Sequence, residues 1–307
     1  MSRLIFVPQY PTKLRYQEFF YEEFPKQLSK YYDKIIILGE AYITSKLLKS
    51  DFGLFAPKEA SIDFEFQQVK EYLDLVLKED DTLLFMDISY PGFFANILYH
   101  KPIKNAYCYC HATSKNNFDV FNMIKFSCES AHAKLFKKVF VGSKYHQNKL
   151  GWNNTVVIGL PIPPFKTFRT EKEFDIISVA RPSIQKITTV IEKQVEKDFS
   201  NIVRKECNSW EEYYKFLSSA KILLITTKEE TFGFSALEAI MNGTIVLAPN
   251  KFSYPELLPK EFLYNTYEDL SMKIWISLYK DVKPPETLLC HNLCENFYEN
   301  IVNQMKG

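Results

Sequence analysis

Short apolar runs alternate with longer amphipathic stretches along the chain. In the first half, runs rich in β-branched and aromatic residues predict strands, and the stretches between them carry apolar residues at helical spacing. The predicted strands cover 3–7, 34–38, 82–87, 105–110, 138–141 and 155–158. The predicted helices cover 15–31, 62–78, 92–100, 117–134 and 143–150. Ser61 and Ser143 are the expected N-caps, and Pro25 is expected to kink or split the first helix.

A proline-rich segment at 160–164 separates this series from a second one. Neither a helix nor a sheet continues easily through Leu-Pro-Ile-Pro-Pro, so we expect a linker there. The strands predicted after it cover 174–180, 201–205, 221–227 and 244–248. The helices predicted after it cover 184–198, 209–219, 234–242, 267–281 and 287–305. Such alternation of strands and helices is typical of parallel, doubly wound sheets.

The elements therefore predict an α/β fold with two Rossmann-like, doubly wound lobes that face a cleft. We expect an N-terminal domain at 1–160 and a C-terminal domain at 161–286. The remaining stretch, 287–307, is expected to form a helix whose course could lead back to the first domain. Because ligands of such sheets bind at the carboxyl ends of the strands, the loops that follow the strands are where functional residues are sought.

Glycine is scarce, with 9 residues among 307. The nearest pair, Gly151 and Gly159, lie eight positions apart. A dinucleotide-binding Gly-x-Gly-x-x-Gly motif and a P-loop both need glycines much closer together. The usual dehydrogenases and P-loop NTPases are therefore excluded.

Charge and hydropathy indicate neither a membrane span nor wholesale binding to nucleic acid. The formal net charge is +1, whereas electrostatic binding to nucleic acid normally needs a strong basic excess. No apolar stretch approaches the roughly 20 residues of a membrane span. We expect a cytoplasmic protein, in its own cell or in a host cell if the chain is viral. The Phe, Tyr, Lys, Ile and Asn content is typical of an AT-rich genome.

The six cysteines favour reduced thiols over disulfides in a chain of this kind. Two groups invite a zinc hypothesis, namely Cys108-Cys110-His111 and Cys290-His291-Cys294. Neither has the paired Cys-x-x-Cys spacing of a structural zinc site. We therefore expect no bound metal, and small buried thiols are the favoured interpretation.

The stretch 221–256 carries the most chemical information. A predicted strand ends in a polar loop with Glu230, and Gly233 then opens a helix that carries Glu238, with seven residues between the two glutamates. The start of a helix favours anions such as a diphosphate, and carboxylates accept hydrogen bonds from vicinal sugar hydroxyls. Arg181 and Lys186 flank the turn after strand 174–180 and are suited to offset the phosphate charge.

The stretch 230–239, E-T-F-G-F-S-A-L-E-A, resembles the E-x7-E motif of retaining glycosyltransferases of the GT-B fold. The similarity is to the large family (family 4 or group 1) that includes sucrose synthases and many bacterial mannosyl- and glucosyltransferases. A-R-P-S-I-Q-K at 180–186 is similar to the family's diphosphate-binding turn, and 141–162 resembles its inter-domain segment. The motifs cover roughly 138–258, and a small viral member is one hypothesis.

This resemblance implies roles for individual residues. Glu230 would hold hydroxyls of the donor sugar, and Glu238 would hold those of the ribose. Arg181 and Lys186 would stabilise the departing diphosphate, and His111 resembles a family histidine near the reacting sugar. The resemblance also implies that backbone groups of the loop and helix start contact the donor, namely those of Thr231, Phe232, Gly233 and Phe234. Each of these side chains remains open to a plainer interpretation as a surface charge or a structural residue.

The chain departs from the family after its first strand, where relatives carry a glycine-rich loop. Here 8–18 reads P-Q-Y-P-T-K-L-R-Y-Q-E, without glycine. Tyr10, Arg15 and Tyr16 are our candidates for acceptor binding, with ordinary helix-start residues as the alternative. The second lobe also looks trimmed by one strand–helix unit.

The resemblance implies transfer of a sugar, with retention, from a UDP- or GDP-sugar to a hydroxyl, without a metal or other cofactor. UDP is the expected nucleotide, and the acceptor is a glycan or a modified DNA base. A DNA acceptor would call on basic residues such as Arg15, Lys101, Lys104 and Lys115. The alternatives are a nucleotide-sugar epimerase of the same fold and a non-catalytic nucleotide-sugar-binding protein. The oligomeric state is not indicated.

Overall fold

The chain divides into two units, each built around a parallel sheet. The computed structural model describes residues 3–12, 16–45, 58–88, 93–117, 125–162, 166–180, 187–284 and 296–307. The first unit takes in the described residues of 1–142, 147–158 and 296–307. The second takes in those of 143–146 and 159–295.

The sheet of the first unit has the strand order β2-β1-β3-β4-β5-β6, with every pairing parallel. Its strands are β1 (Arg3–Val7), β2 (Lys34–Ile37), β3 (Thr82–Phe85), β4 (Asn105–Tyr109), β5 (Lys138–Val141) and β6 (Thr155–Val157). Leu4, Ile5, Phe6 and Val7 are all 0% exposed. This uninterrupted apolar run is what a central parallel strand needs, because both of its faces are covered.

The helices described in the first unit are α1 (Tyr16–Leu28), α2 (Glu40–Ser45), α3 (Lys58–Asp74), α4 (Phe93–His100), α5 (Phe126–Ala133) and α6 (Lys144–Leu150). The first turn of α6 belongs to the second unit. The chain's last helix, which we number α12 (Phe297–Lys306), also lies in the first unit. Its Phe297 packs edge-on against Phe24 of α1, and Tyr107 donates a 2.6 Å hydrogen bond to the carbonyl of Met305.

The described sheet of the second unit has the order β10-β9-β8-β7, again all parallel. Its strands are β7 (Phe174–Ile177), β8 (Ala220–Leu224), β9 (Ile245–Pro249) and β10 (Leu263–Tyr264). Its helices are α7 (Thr189–Asp198), α8 (Trp210–Ser218), α9 (Phe234–Met241), α10 (Tyr254–Leu257) and α11 (Tyr267–Tyr279). The caps explain two helix starts, because Ser209 accepts from the N–H of Glu212 and Thr266 accepts from that of Asp269.

The predicted fold class is confirmed, since both sheets are parallel and the strands alternate with helices. The capping role of Ser143 is also confirmed, because its hydroxyl accepts from the N–H of His146 at 3.1 Å. The prediction that Ser61 caps a helix is wrong, because α3 begins one turn earlier and buries Ser61 within it.

The split expected at Pro25 is also wrong. Helix α1 runs unbroken through that residue, which lies one turn before its end. An interior proline costs about 3 kcal/mol. Burial of Phe20, Phe24 and Leu28 on the same helix offsets this, since each buried side chain of that size contributes roughly 1.5–3 kcal/mol.

Some predicted elements are shorter than expected or lie partly outside the described residues. The strand predicted at 201–205 is reduced to an isolated bridge between Ile177 and Val203. Of the helix predicted at 117–134, residues 118–124 lie outside the described part, and α5 covers only Phe126–Ala133. Three short elements, α2, α10 and β10, are too brief for periodicity to reveal.

Candidate functional site

The loop between β8 and α9 (residues 225–233, the β8–α9 loop) carries the first residues that the sequence singles out. Glu230 is half-buried, and its Oε1 accepts hydrogen bonds from the backbone N–H groups of Thr231 at 3.0 Å and Phe232 at 3.3 Å. Thr231 and Phe234 are partly exposed, whereas Phe232 is buried. The loop therefore places Glu230 after the carboxyl end of β8, beside the partly exposed Thr231.

Gly233 is the N-cap residue of α9 and adopts a left-handed conformation with φ +96°. A Cβ at this position would come within 2.8 Å of Tyr254 Cε1 and 3.1 Å of Leu257 Cδ1. Both the positive φ and the close packing therefore require glycine. Tyr254 is itself buried, and this burial, with the nearby charge of Glu230 adding to it, raises the pKa of its hydroxyl. The start of α9 is thus pressed against α10.

Glu238 lies one turn further along α9 and is buried. Its carboxylate accepts hydrogen bonds from the Tyr213 hydroxyl at 3.0 Å and the Tyr214 hydroxyl at 3.4 Å, both from α8. Burial raises the pKa of Glu238 to about 8, although the two tyrosines act in the opposite direction. A role at the ribose stays a prediction, and the tyrosine contacts are a feature that sequence reasoning missed.

A polar network around the buried Glu192 and Thr226 holds the first part of the same loop. Thr226 donates through Oγ1 to Glu192 Oε1 at 3.0 Å, and Arg204 pairs with the other carboxylate oxygen of Glu192 at 2.7 Å. The Thr188 hydroxyl in turn donates to the carbonyl of Thr226 at 2.6 Å. The network joins the end of β8 to the start of α7. Sequence reasoning missed it because its members are scattered along the chain.

The start of α6 is held by a carboxylate from α10. The backbone N–H groups of Lys144 and Tyr145 donate to the two oxygens of Glu256 at 2.8 Å and 2.7 Å. Ser143 satisfies the next N–H as N-cap and donates its own hydroxyl to the carbonyl of Thr231 at 2.6 Å. Thus Glu256, the last residue of the stretch 221–256, has backbone partners within the second unit.

Arg181 and Lys186 lie outside the described residues, as does Arg15. Their predicted roles in binding diphosphate and acceptor therefore stay predictions. The described residues on either side of the first two are Ala180, which follows β7, and Ile187, which precedes α7. The sequence positions of Arg181 and Lys186 thus fall between the end of β7 and α7.

In the first unit, His111 follows β4 and lies among aromatic rings. The ring centroids of Tyr16, Tyr109 and Phe20 are 4.6, 4.5 and 5.3 Å from that of the imidazole. The structure therefore brings together His111 and Tyr16, two predicted site residues far apart in sequence. Tyr10 makes a different contact, because its ring meets Phe64 edge-on at 5.8 Å.

A buried carboxylate lies after the neighbouring strand. Asp87 is 2% exposed, and its Oδ2 accepts a 2.6 Å hydrogen bond from the side-chain amide of Gln9. Burial, with the charge of Asp87 adding to it, raises the pKa of the Cys108 and Cys110 thiols well above their usual range. Neutral thiols are poor metal ligands. No cluster of metal-ligating side chains is found in the described part of the chain, which does not include Cys290 or Cys294.

Two lysines proposed for contact with DNA phosphates are used within the fold. The Lys101 ammonium donates to three carbonyls at the end of α3, those of Tyr72, Leu73 and Leu75. The Lys115 ammonium donates to the carbonyls of Lys149 and Leu150 at the end of α6. Both therefore complete helix C-termini, where cations are favoured, and their role at a DNA acceptor stays a prediction. Lys104 is exposed.

No protein-family model matches the chain. A tRNA-queuosine alpha-mannosyltransferase from Drosophila melanogaster is 38% identical over 106 residues, which are 34% of this chain and 28% of that relative. The chain thus matches less than a third of the relative's length. None of the described helices is both long and apolar enough to cross a bilayer.

Solved structures are similar over more of the chain. HepE of Anabaena in complex with UDP has a TM-score of 0.64 at 11% identity and covers 99% of both chains. TarM of S. aureus, in a complex that includes UDP, has a TM-score of 0.53 at 18% identity, over 78% of this chain and 56% of TarM. At these identities the likeness establishes the fold alone, and that fold is the GT-B fold of glycosyltransferases.

Proposed function

We propose that the chain is a retaining glycosyltransferase that moves a sugar from a nucleoside diphosphate to a hydroxyl group. The observation that carries the proposal is the arrangement at the carboxyl end of β8. There the half-buried Glu230 carboxylate and a helix that opens at Gly233 lie together in a GT-B fold. A carboxylate that accepts from hydroxyls, beside a helix start that favours anions, suits a sugar diphosphate.

In this proposal Glu230 binds hydroxyls of the donor sugar, and the helix start with Arg181 and Lys186 stabilises the diphosphate as it leaves. Catalysis is then mainly positioning and charge stabilisation, without a bound metal. Glu238 accepts a hydrogen bond from a ribose hydroxyl, in addition to those it accepts from the hydroxyls of Tyr213 and Tyr214. With a pKa of about 8 the Glu238 carboxyl is mostly protonated at neutral pH, and its two oxygens still keep acceptor capacity beyond the two tyrosine bonds. The proposed boundary between the two domains lies at residue 160. The proposed site of action is the cytoplasm.

For the nucleotide we propose UDP, which is bound in the HepE and TarM complexes. GDP is the alternative to be tested beside it. For the acceptor we propose the hydroxyl of a modified nucleoside, since the relative with 38% identity is named for mannosyl transfer to queuosine in tRNA. A modified DNA base and a glycan remain the two other arms of the acceptor test.

The test begins with thermal unfolding in the presence of UDP, GDP and the matching monophosphates. At a ligand concentration of about 100 Kd, binding adds about 2.7 kcal/mol to the stability of the native state, which is a readily measured rise in Tm. We expect a diphosphate to raise the Tm and its monophosphate to raise it less. If no diphosphate shifts the Tm at millimolar concentration, the proposal is wrong.

Turnover separates the proposal from its alternatives. A retaining glycosyltransferase releases the nucleoside diphosphate and keeps the anomeric configuration of the donor sugar in the product. An epimerase changes the sugar without such release, and a binding protein does neither. We expect release of UDP or GDP with tRNA, DNA or an oligosaccharide as acceptor, and slow hydrolysis without one.

A further inference from the structure

Hydroxyl side chains hold three backbone carbonyls of the β8–α9 loop. Thr227 Oγ1 donates to the carbonyl of Glu229 at 2.7 Å. Further along the loop, Ser143 donates to the carbonyl of Thr231 at 2.6 Å, and Ser253 donates to that of Phe232 at 2.8 Å. Ser143 and Ser253 are both 0% exposed, so these bonds form away from competing water.

A planar trans peptide links the direction of each carbonyl to that of the following N–H, which points the opposite way. The bond from Ser143 to the Thr231 carbonyl therefore also orients the N–H of Phe232, which donates to Glu230 Oε1 at 3.3 Å. In the same way, the bond from Ser253 to the Phe232 carbonyl orients the N–H of Gly233, at the start of α9. The buried hydroxyls of Ser143 and Ser253 thus set the orientation of the peptide planes next to Glu230, the carboxylate that we propose binds the donor sugar.

The two serines are themselves held firmly. Glu256 accepts from the first two N–H groups of α6 and so fixes the turn that carries Ser143. Ser253 follows Phe252, which adopts a left-handed conformation with φ 60° and packs edge-on against Tyr145 at 5.9 Å. A bulky residue in this region costs roughly 1–2 kcal/mol and persists only where the surroundings determine it.

We propose that Ser143 and Ser253 are positioning residues that orient the β8–α9 loop for the donor without touching it. The proposal rests on the function proposed above and deepens it, because it assigns part of the donor affinity to two hydroxyls behind the loop. A merely structural role would lower stability without any specific effect on the loop.

The experiment compares Ser143→Ala and Ser253→Ala with a matched control, Ser219→Ala. Ser219 is also buried in the second unit and donates to a backbone carbonyl, that of Phe216 at 2.9 Å, but at the end of α8. Ser143→Thr serves as the rescue variant, because threonine keeps the hydroxyl and is also a good N-cap. The readouts are the Kd for UDP and GDP and the hydrogen exchange of the amides of 230–233.

One hydrogen bond contributes about 1 kcal/mol net, so we expect each alanine variant to weaken nucleotide binding about fivefold. We also expect faster exchange of the Phe232 and Gly233 amides in both variants. Ser219→Ala should leave both readouts unchanged, and Ser143→Thr should restore them. Unchanged exchange in the two alanine variants overturns the proposal, as does an equal effect of Ser219→Ala.

The two readouts also separate this inference from the function on which it rests. If the wild-type chain binds neither nucleotide, the proposed function fails, and the exchange rates still decide whether the serines order the loop. If the wild-type chain binds UDP or GDP and the alanine variants bind it equally well, the function stands and the positioning role fails.

Discussion

The carboxyl edges of the two sheets are built from different kinds of groups. In the second unit the β8–α9 loop is held by short hydroxyl side chains, and its Glu230 accepts from loop backbone. In the first unit the corresponding edge is aromatic, with His111 among the rings of Tyr16, Tyr109 and Phe20. One edge carries hydrogen-bonded loop backbone, and the other carries a packed aromatic cluster in which Phe20 and Tyr109 are buried and Tyr16 and His111 are partly exposed.

The difference matters because the two edges suit different ligands. Oriented N–H groups and a carboxylate recognise a phosphate and a sugar, whose polar atoms occupy fixed positions. Aromatic rings offer contact area that adapts to the ligand, such as a base or a sugar face. In the proposed function, the donor binds at the second unit and the acceptor at the first. Variants at each edge should affect different steps of the reaction.

The largest effect is expected for Glu230→Ala. Loss of a group positioned for the transition state costs about 100-fold or more in rate, and we expect donor turnover to fall by at least that factor. The fold should persist, since Glu230 is only half-buried. Glu171→Ala, an exposed glutamate of the same unit, is the control. Full turnover by Glu230→Ala would break the assignment of this edge to the donor.

His111→Ala tests the aromatic edge. We expect kcat to fall about tenfold or more, because the proposed function places this imidazole near the reacting sugar. The Kd for UDP should stay at the wild-type value, since the diphosphate is assigned to the other unit. Steady-state kinetics measure kcat, and isothermal titration calorimetry measures the Kd for UDP. A weakened Kd for UDP with unchanged kcat would reverse the comparison.

Gly233→Ala and Gly151→Ala form a matched pair of substitutions. Both glycines have positive φ, but a Cβ at Gly151 meets nothing within 4 Å, whereas one at Gly233 would press on Tyr254. Backbone strain alone costs about 1 kcal/mol, and the clash adds roughly 1–3 kcal/mol at Gly233 only. Urea unfolding should therefore show the larger loss for Gly233→Ala. Equal losses would mean that Tyr254 moves aside.

Glu238→Gln should change the Tm little at low pH and progressively more toward neutral pH. The pKa of Glu238 is about 8 in the folded chain, against 4.5 for an ordinary glutamate. As pH rises from about 4.5 to 8, the unfolded chain loses its proton first, so this group progressively destabilises the wild-type fold. The Tm of Glu238→Gln should therefore rise relative to wild type across that range. Parallel Tm curves would show that the pKa of Glu238 is the same in the folded and unfolded chains.

Local pattern was enough to predict the framework of both sheets and the strand–loop–helix unit around Glu230 and Gly233. Strand and helix periodicity depends on which residues face a core, and that is written in neighbouring positions. The same holds for the Ser143 cap, because a cap and its helix are adjacent in sequence. Pro25 shows the limit of local rules, since buried Phe20 and Phe24 keep its helix intact.

What only the tertiary structure decided depends on contacts between distant residues. The sequence by itself determined the fold class, the motif at 230–238 and the candidate residues, because these follow from composition, spacing and resemblance. It did not place His111 beside Tyr16, couple Glu238 to Tyr213, or direct the Ser143 hydroxyl to Thr231. It also did not show that Lys101 donates to a carbonyl at the end of α3. The physical reason is that a charge or a hydroxyl takes its role from its partner, and folding chooses that partner.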